Sequence, residues 1–287
     1  MSKYSVPVEH VTKTAWMVAA YRVMESERPD AKFNDLITKK LLLGNEDELF
    51  NQGGRGAKLG LWFLTVRTSV IDRTIERLVR EGVDTVVNLG AGLDTRPYRL
   101  DIPETLRWIE ADYPDTVEFK NERLAGDLPK CGLERVSADL SKAEERSAVL
   151  RRANEGARKL LVLTEGVLPY LEEKYVVELA GELREMSASH YWLMDATKQR
   201  FMEWMWKQFS TEREAMQSSA STEIHFRPTD PGIFFAEHGW KQIEYTPFGT
   251  TAEKIDRLPK EYAGLDHADR EALDDAGIAL FEKQSLS

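Results

Sequence analysis

The stretch Thr85-Val86-Val87-Asn88-Leu89-Gly90-Ala91-Gly92-Leu93-Asp94-Thr95-Arg96 constrains this chain more than any other. Five residues of largely β-branched and apolar character run into a turn with two glycines one residue apart, and a short acidic segment follows. A buried strand delivers its carboxyl end to a ligand in this way in an open α/β sheet. Small ligands with an adenosine or phosphate group are held at such turns, where a Cβ would obstruct both the tight turn and the ligand's approach to the backbone.

The segments on either side fix the setting of that strand. From Val8 to about Arg80 the apolar residues recur at helical spacing: Val11, Ala15, Val18, Ala19 and Val23, then Leu59, Val66, Val70, Ile71, Ile75 and Leu78. Between them Asn45 to Gly56 is polar and glycine-rich, which predicts a loop or lid. Gly82 ends the long helix, and alternation begins. Strands are expected at Thr85–Leu89, Arg107–Ala111, Glu134–Val136, Lys159–Thr164 and Tyr191–Asp195, with helices at Pro114–Leu124, Lys142–Asn154 and Glu172–Ser187. Repetition of strand, helix, strand implies an α/β fold with a mostly parallel sheet covered on both faces.

After Asp195 the rhythm breaks. Phe201 to Met216 reads as a helix rich in aromatic residues and methionine, and the polar stretch Ser218–Glu223 follows it. Such a helix either packs on the core or closes over a ligand as an insertion. Pro231–His238 reads as a short helix ended by Gly239, and Trp240–Tyr245 and Gly277–Glu282 as two closing strands paired antiparallel at a sheet edge. The resulting division is a helical cap over residues 1–81 and an α/β domain over residues 82–287, with a lid insertion at about 197–230.

Composition narrows the partners. With 287 residues, 42% hydrophobic, the chain can bury a sizeable core, and its net charge of −10 argues against nucleic acid or an anionic membrane surface. A small molecule fits better. Cys131 is the only cysteine, which excludes an internal disulfide and a cysteine-based zinc site and suits a reducing cytoplasm. No metal site is expected. The N-terminus lacks the apolar core of a signal peptide, and no run approaches the roughly 18 apolar residues of a membrane span, so a cytoplasmic location is expected.

Acidic residues gather where the expected strands end. Asp112 follows the second strand, about twenty residues beyond the glycine turn, where a carboxylate can accept hydrogen bonds from ribose hydroxyls. Asp139-Leu140 follows the third strand and could flank an adenine, Glu165-Gly166 follows the fourth, and Asp195 ends the fifth. Acids at successive strand ends describe one elongated ligand laid across the carboxyl edge of the sheet.

The segments Asn88-Leu-Gly-Ala-Gly-Leu-Asp-Thr-Arg-Pro-Tyr-Arg-Leu100, Glu110-Ala-Asp-Tyr-Pro114 with Lys120, Ala138-Asp-Leu140 and Thr164-Glu-Gly-Val-Leu-Pro-Tyr-Leu171 resemble the leucine carboxyl methyltransferase family. That family includes bacterial polyketide O-methyltransferases and belongs to the S-adenosylmethionine-dependent class with a Rossmann-like sheet. The resemblance spans about Val11 to Asp195. It implies that Gly90, Ala91 and Gly92 approach the amino-acid end of S-adenosylmethionine, that Asp112 binds the ribose, that Asp139 and Leu140 hold the adenine, and that Glu165 lines the pocket near the donor's amino-acid part. It further implies that Arg67, on the helix before the sheet, pairs with the donor's carboxylate, with Lys13 in a supporting part. One departure is Phe33-Asn-Asp-Leu36, where many bacterial relatives carry Asp-Pro.

Methyl transfer from a sulfonium is an in-line displacement with a good leaving group, so positioning and desolvation are the main tasks. A carboxylate acceptor needs no general base; a hydroxyl does. Among His10, His190, His225, His238 and His267 no grouping singles out a base, though His10 in the cap and His225 near the lid are the better placed, and Tyr170 could lie near the methyl group. The absence of an evident base tilts the expectation toward a carboxylate of a small-molecule acceptor, without excluding a hydroxyl. The sequence leaves the oligomeric state open. Two rivals remain: an NAD(P)-dependent oxidoreductase, disfavoured because Thr95 replaces the third glycine of Gly-x-Gly-x-x-Gly, and a non-catalytic binding protein that keeps the fold.

Overall fold

The computed structural model describes residues 13–44, 54–208, 224–262 and 264–284. Helix α1 covers Lys13–Ser26 and α2 covers Gly54–Arg80. The sheet then begins with β1, Thr85–Leu89, and continues through β2, Arg107–Asp112, helix α3, Pro114–Arg123, β3, Gly132–Ser137, α4, Ala143–Asn154, β4, Leu160–Thr164, α5, Glu173–Glu185, and β5, Ser189–Thr197. Next come α6, Gln199–Gln208, α7, Pro231–Glu237, β6, Trp240–Pro247, α8, Phe248–Lys254, α9, His267–Asp274, and β7, Ala276–Lys283.

Among the described residues seven strands join one sheet in the order β3-β2-β1-β4-β5-β7-β6. The first five are parallel, and β7 runs antiparallel between β5 and β6. The expected closing pair thus forms, with β7 as its inner member. β1 and β4 are buried along their whole length, as strands covered on both faces must be. Alternate side chains divide between two layers: Val86 packs with Val66, Val70 and Ile75 of α2, whereas Val87 and Leu89 pack with Val149 of α4 and Leu179 of α5. Fully burying a side chain of this size contributes about 1.5–3 kcal/mol.

Helix α2 begins inside the segment expected to be a loop. The polar stretch Asn45–Gly56 is helical from Gly54 onward, and its earlier residues lie outside those described. An early glycine costs about 1 kcal/mol, which the burial of Val66, Val70, Ile71, Ile75 and Leu78 against the sheet offsets. The helix ends where expected, as Gly82 takes φ 99° and the N–H of Val83 returns to the carbonyl of Leu78 at 3.0 Å.

Strand β5 extends beyond Asp195 to Thr197, because β7 continues the ladder through the pairs Asp195–Ile278 and Thr197–Ala276. Asp195 therefore sits within the strand, not at its end. Helices α8 and α9, absent from the sequence expectation, have seven and eight residues, too few for a clear apolar period. Of the expected helix Phe201–Met216, α6 supplies the part to Gln208; the remainder and Ser218–Glu223 lie outside the described residues.

Two segments far apart in sequence meet at a buried guanidinium. Arg257 donates to Glu25 of α1 at 2.9 and 3.0 Å and to Asp30 at 2.8 Å. Among the described residues no helix is long and apolar enough to cross a membrane.

Candidate active site

The glycine turn closes over the carboxyl end of β1 and is tied to the neighbouring strand, because the amides of Gly90 and Ala91 both donate to the carbonyl of Ala111 at 2.8 and 3.2 Å. Gly90 has φ 68°, and a Cβ there would stand 2.4 Å from Cγ2 of Val167. The requirement for glycine thus comes from backbone conformation and from Val167. Gly92 has φ 45°, but the nearest atom to its missing Cβ is 3.9 Å away, so only its dihedral favours glycine.

Over this turn lies a cavity of about 460 Å³, lined by Gly90, Ala91, Gly92, Asp112, Leu140, Glu165, Arg67 and Tyr170 among others. Asp112 is the last residue of β2, and its two carboxylate oxygens accept the amides of Gly92 at 2.6 Å and Tyr113 at 2.8 Å. An ionised carboxylate offers about four acceptor positions, so each oxygen keeps capacity for a further donor. Leu140 and Ser141 also line the cavity, but Asp139 does not. Its carboxylate turns into its own loop, accepting the amide of Ser141 at 3.0 Å and its hydroxyl at 2.7 Å. Lys13 opens α1, the helix that contributes Ala15, Val18 and Arg22 to the wall.

Behind the turn stands a buried charge network that sequence reasoning missed. Arg96 donates to Asp72 at 2.7 Å, to Asp94 at 2.8 Å and to Glu165 at 2.7 Å. Asp94 also accepts from Asn88 of β1 at 2.8 Å. Burial is the largest single influence on the carboxyls of Asp94 and Glu165 and would raise both, but the surrounding cations together outweigh it, Arg96 foremost at each, joined by Lys120, Arg22 and Arg99 at Asp94 and by Arg67 at Glu165, and both are held below their ordinary values. Arg22 donates to the carbonyl of Leu93 at 2.6 Å and to Asp35 at 2.7 Å, fastening α1 to the turn. Asp35 belongs to the Phe33–Leu36 segment, and Thr95, in the place of the third glycine, donates its hydroxyl to that same carboxylate. The only advance signal was an Asp-Thr-Arg run after a glycine turn.

Arg67 projects from α2 between two carboxylates. Its Nε lies 2.8 Å from Oε1 of Glu165 and its Nη1 3.9 Å from Oδ2 of Asp195. Despite that proximity, Nε is buried and misaligned for a hydrogen bond. Arg67, Gly166 and Tyr170 line both this cavity and a second one of about 300 Å³, whose other walls include Phe63, Phe201, Met202, Met205, Phe226 and Asp195. Tyr170 is 40% exposed at the mouth, its phenol pushed up by partial burial and then by the Asp195 charge. His225 is exposed and lines neither cavity; its amide donates to the carbonyl of Pro169 at 2.8 Å. His10 lies outside the described residues. Among the described residues no His, Cys, Asp and Glu side chains group as a metal site requires.

A mostly parallel seven-stranded sheet ending in an antiparallel pair, with a cavity over the turn after β1, is the α/β architecture of the methyltransferases. Residues 15–183 match the leucine carboxyl methyltransferase family, and the chain belongs to that family. A Streptomyces coelicolor protein named as an inferred S-adenosyl-L-methionine-dependent methyltransferase is 31% identical over 252 residues, 82% of this chain and 85% of its own length. A protein of the same name from Saccharopolyspora erythraea is 30% identical over 85% of this chain and 88% of its own. In fold, the crystal structure of a DUF574 family protein from Streptomyces avermitilis superposes with a TM-score of 0.56 at 15% identity, covering 93% of this chain and 97% of its own.

Proposed function

We propose that this methyltransferase takes its methyl group from S-adenosylmethionine, held in the first cavity, and places it on a carboxylate or hydroxyl oxygen of a small molecule. The observation that carries this reading is Arg67, a buried guanidinium on the cavity wall whose Nε makes no aligned hydrogen bond. A planar fork of donors in that state fits a ligand carboxylate, which it can grip through two parallel bonds. The amino-acid end of the donor supplies that group.

The remaining residues fit the rest of the molecule. Asp112 keeps acceptor capacity for the ribose hydroxyls while its existing bonds fix the turn. Leu140 and Ser141 would flank the adenine, and Asp139 would set the shape of that loop from behind. Glu165 holds Arg67 in place and leaves the donor's ammonium an anionic neighbour. Gly90, Ala91 and Gly92 give the ligand a wall of backbone, and Lys13 would support from α1. S-adenosylmethionine brings a methyl on a sulfonium, a leaving group that needs no protonation, so the protein's tasks are to orient and to exclude water. In this reading the described part of residues 1–81 caps the donor, and α6 together with residues 224–230 covers the acceptor.

Calorimetric titration with S-adenosylhomocysteine and with NAD tests the proposal. S-adenosylhomocysteine is expected to bind and NAD not to. Binding of NAD without a response to S-adenosylhomocysteine would favour an oxidoreductase and overturn it.

A further inference from the structure

We propose that the second cavity holds the methyl acceptor as a phenol carried on an apolar ring system, and that Asp195 is the base that takes its hydroxyl proton. This rests on the first cavity being the donor site. The two cavities share a wall made by Arg67, Gly166 and Tyr170, so molecules held in each meet there.

The lining selects the ring. Phe63, Phe201, Met202, Met205 and Phe226 present aromatic faces and thioethers, surfaces that accommodate a flat apolar body at little orientational cost. Asp195 selects the functional group. Its Oδ1 accepts the amide of Gly166 at 2.8 Å, whereas its Oδ2 accepts no hydrogen bond from another described residue and stands 3.9 Å from Nη1 of Arg67, beyond hydrogen-bond reach. A carboxylate oxygen left open at a cavity wall can receive a hydroxyl proton. It repels a second carboxylate.

Among the described residues, Arg67 from α2, Glu165 and the Gly166 amide after β4, and Tyr170 at the mouth act on Asp195, and Glu203 of α6 and Arg227 also line its cavity. Burial raises its carboxyl, Glu165 acts in the same sense, and Arg67 and the amide oppose them without cancelling the rise. Asp195 is consequently a stronger base than an exposed aspartate. The family name denotes a carboxyl acceptor, so a hydroxyl here would mark a divergence in this chain. In the transfer, a lone pair on the acceptor oxygen forms the O–CH3 bond while the C–S bond breaks, its electron pair going to sulfur. The hydroxyl proton passes to Oδ2 of Asp195 and then to water.

The probes are 2-naphthol and 2-naphthoate, identical in ring and different in functional group. With S-adenosylhomocysteine saturating, the wild-type protein should bind 2-naphthol at least ten-fold more tightly than 2-naphthoate in calorimetry. Asp195→Asn should narrow that ratio below three-fold, lower methyl transfer to 2-naphthol at least 100-fold, and abolish the acid limb of its kcat/KM profile. Equal or tighter binding of 2-naphthoate, binding of neither probe, or turnover of 2-naphthol by Asp195→Asn near the wild-type rate would each overturn the proposal. The wild-type ratio decides the matter even if the variant fails to fold. Titration of the wild-type protein with S-adenosylhomocysteine alone reads the donor site separately: its failure overturns both readings, whereas its success with a failed probe ratio overturns only this one.

Discussion

Nη1 of Arg96 stands 2.7 Å from Oε2 of Glu165, and this contact joins the turn after β1 to the end of β4 beneath the first cavity. The same guanidinium also pairs with Asp72 of α2 and with Asp94, so one cation holds three elements through three carboxylates.

Removing that cation leaves its partners buried together. Arg96→Met is expected to cost about 3–5 kcal/mol, the usual loss when one member of a buried ionic group is deleted. Urea unfolding at pH 7 measures it. A cost under about 1 kcal/mol would mean that the network rearranges around water.

Arg67 should behave differently, because in the proposed reading its fork of donors serves a ligand more than the core. Arg67→Lys keeps the charge and loses the paired geometry. S-adenosylhomocysteine should bind at least about ten-fold more weakly, equivalent to about 1.4 kcal/mol, while the unfolding free energy changes by less than about 1 kcal/mol. Unaltered affinity would remove Arg67 from the donor site.

The two glycines of the turn should respond unequally. Gly90→Ala meets both a left-handed backbone and Val167, with expected costs of about 1–2 kcal/mol for the first and about 1–3 kcal/mol for the second. Gly92→Ala should incur only the conformational cost, since its nearest neighbour is 3.9 Å away. Adding Val167→Ala to Gly90→Ala should recover part of the loss. Equal melting temperatures for the two single variants would contradict this division.

Acid should loosen the network. Asp94 and Glu165 have folded values below their ordinary 3.8 and 4.5, so the stability they contribute is complete above those values and is lost as pH falls through the lower folded ones. Asp195 has the opposite sign: its raised carboxyl makes the ionised form a cost at neutral pH that disappears as it protonates. Asp195→Asn, which keeps an acceptor for the Gly166 amide, should therefore melt no lower than wild type at pH 7. Glu165→Gln should flatten the loss of stability below about pH 4.5, as followed by thermal melts across pH.

Much of the sheet was legible because β1 and β4 are continuous apolar runs and because a glycine turn announces a strand's carboxyl end. Asp112 and Glu165 were legible for the same reason, since position after a strand fixes which edge a residue occupies. What escaped depended on side-chain direction. Nothing in the Asp139 segment distinguishes a carboxylate facing a ligand from one folded onto Ser141, and an arginine such as Arg22 or Arg96 looks solvated until three-dimensional packing supplies its acids. The depth of Asp195 within β5 was set by β7, more than eighty residues away in sequence, where no local pattern could report it.

The clamp between Arg257 and Glu25 joins residues 232 positions apart. On a chain emerging from the ribosome, α1 therefore lacks this anchor until six of the seven described strands have been made. The glycine turn is laid down early and Arg22 can fasten α1 to it then, whereas the second anchor of that helix arrives only with Arg257. The floor of the cavity and its first tie to α1 can thus form well before the clamp that locks the same helix from the far side of the chain.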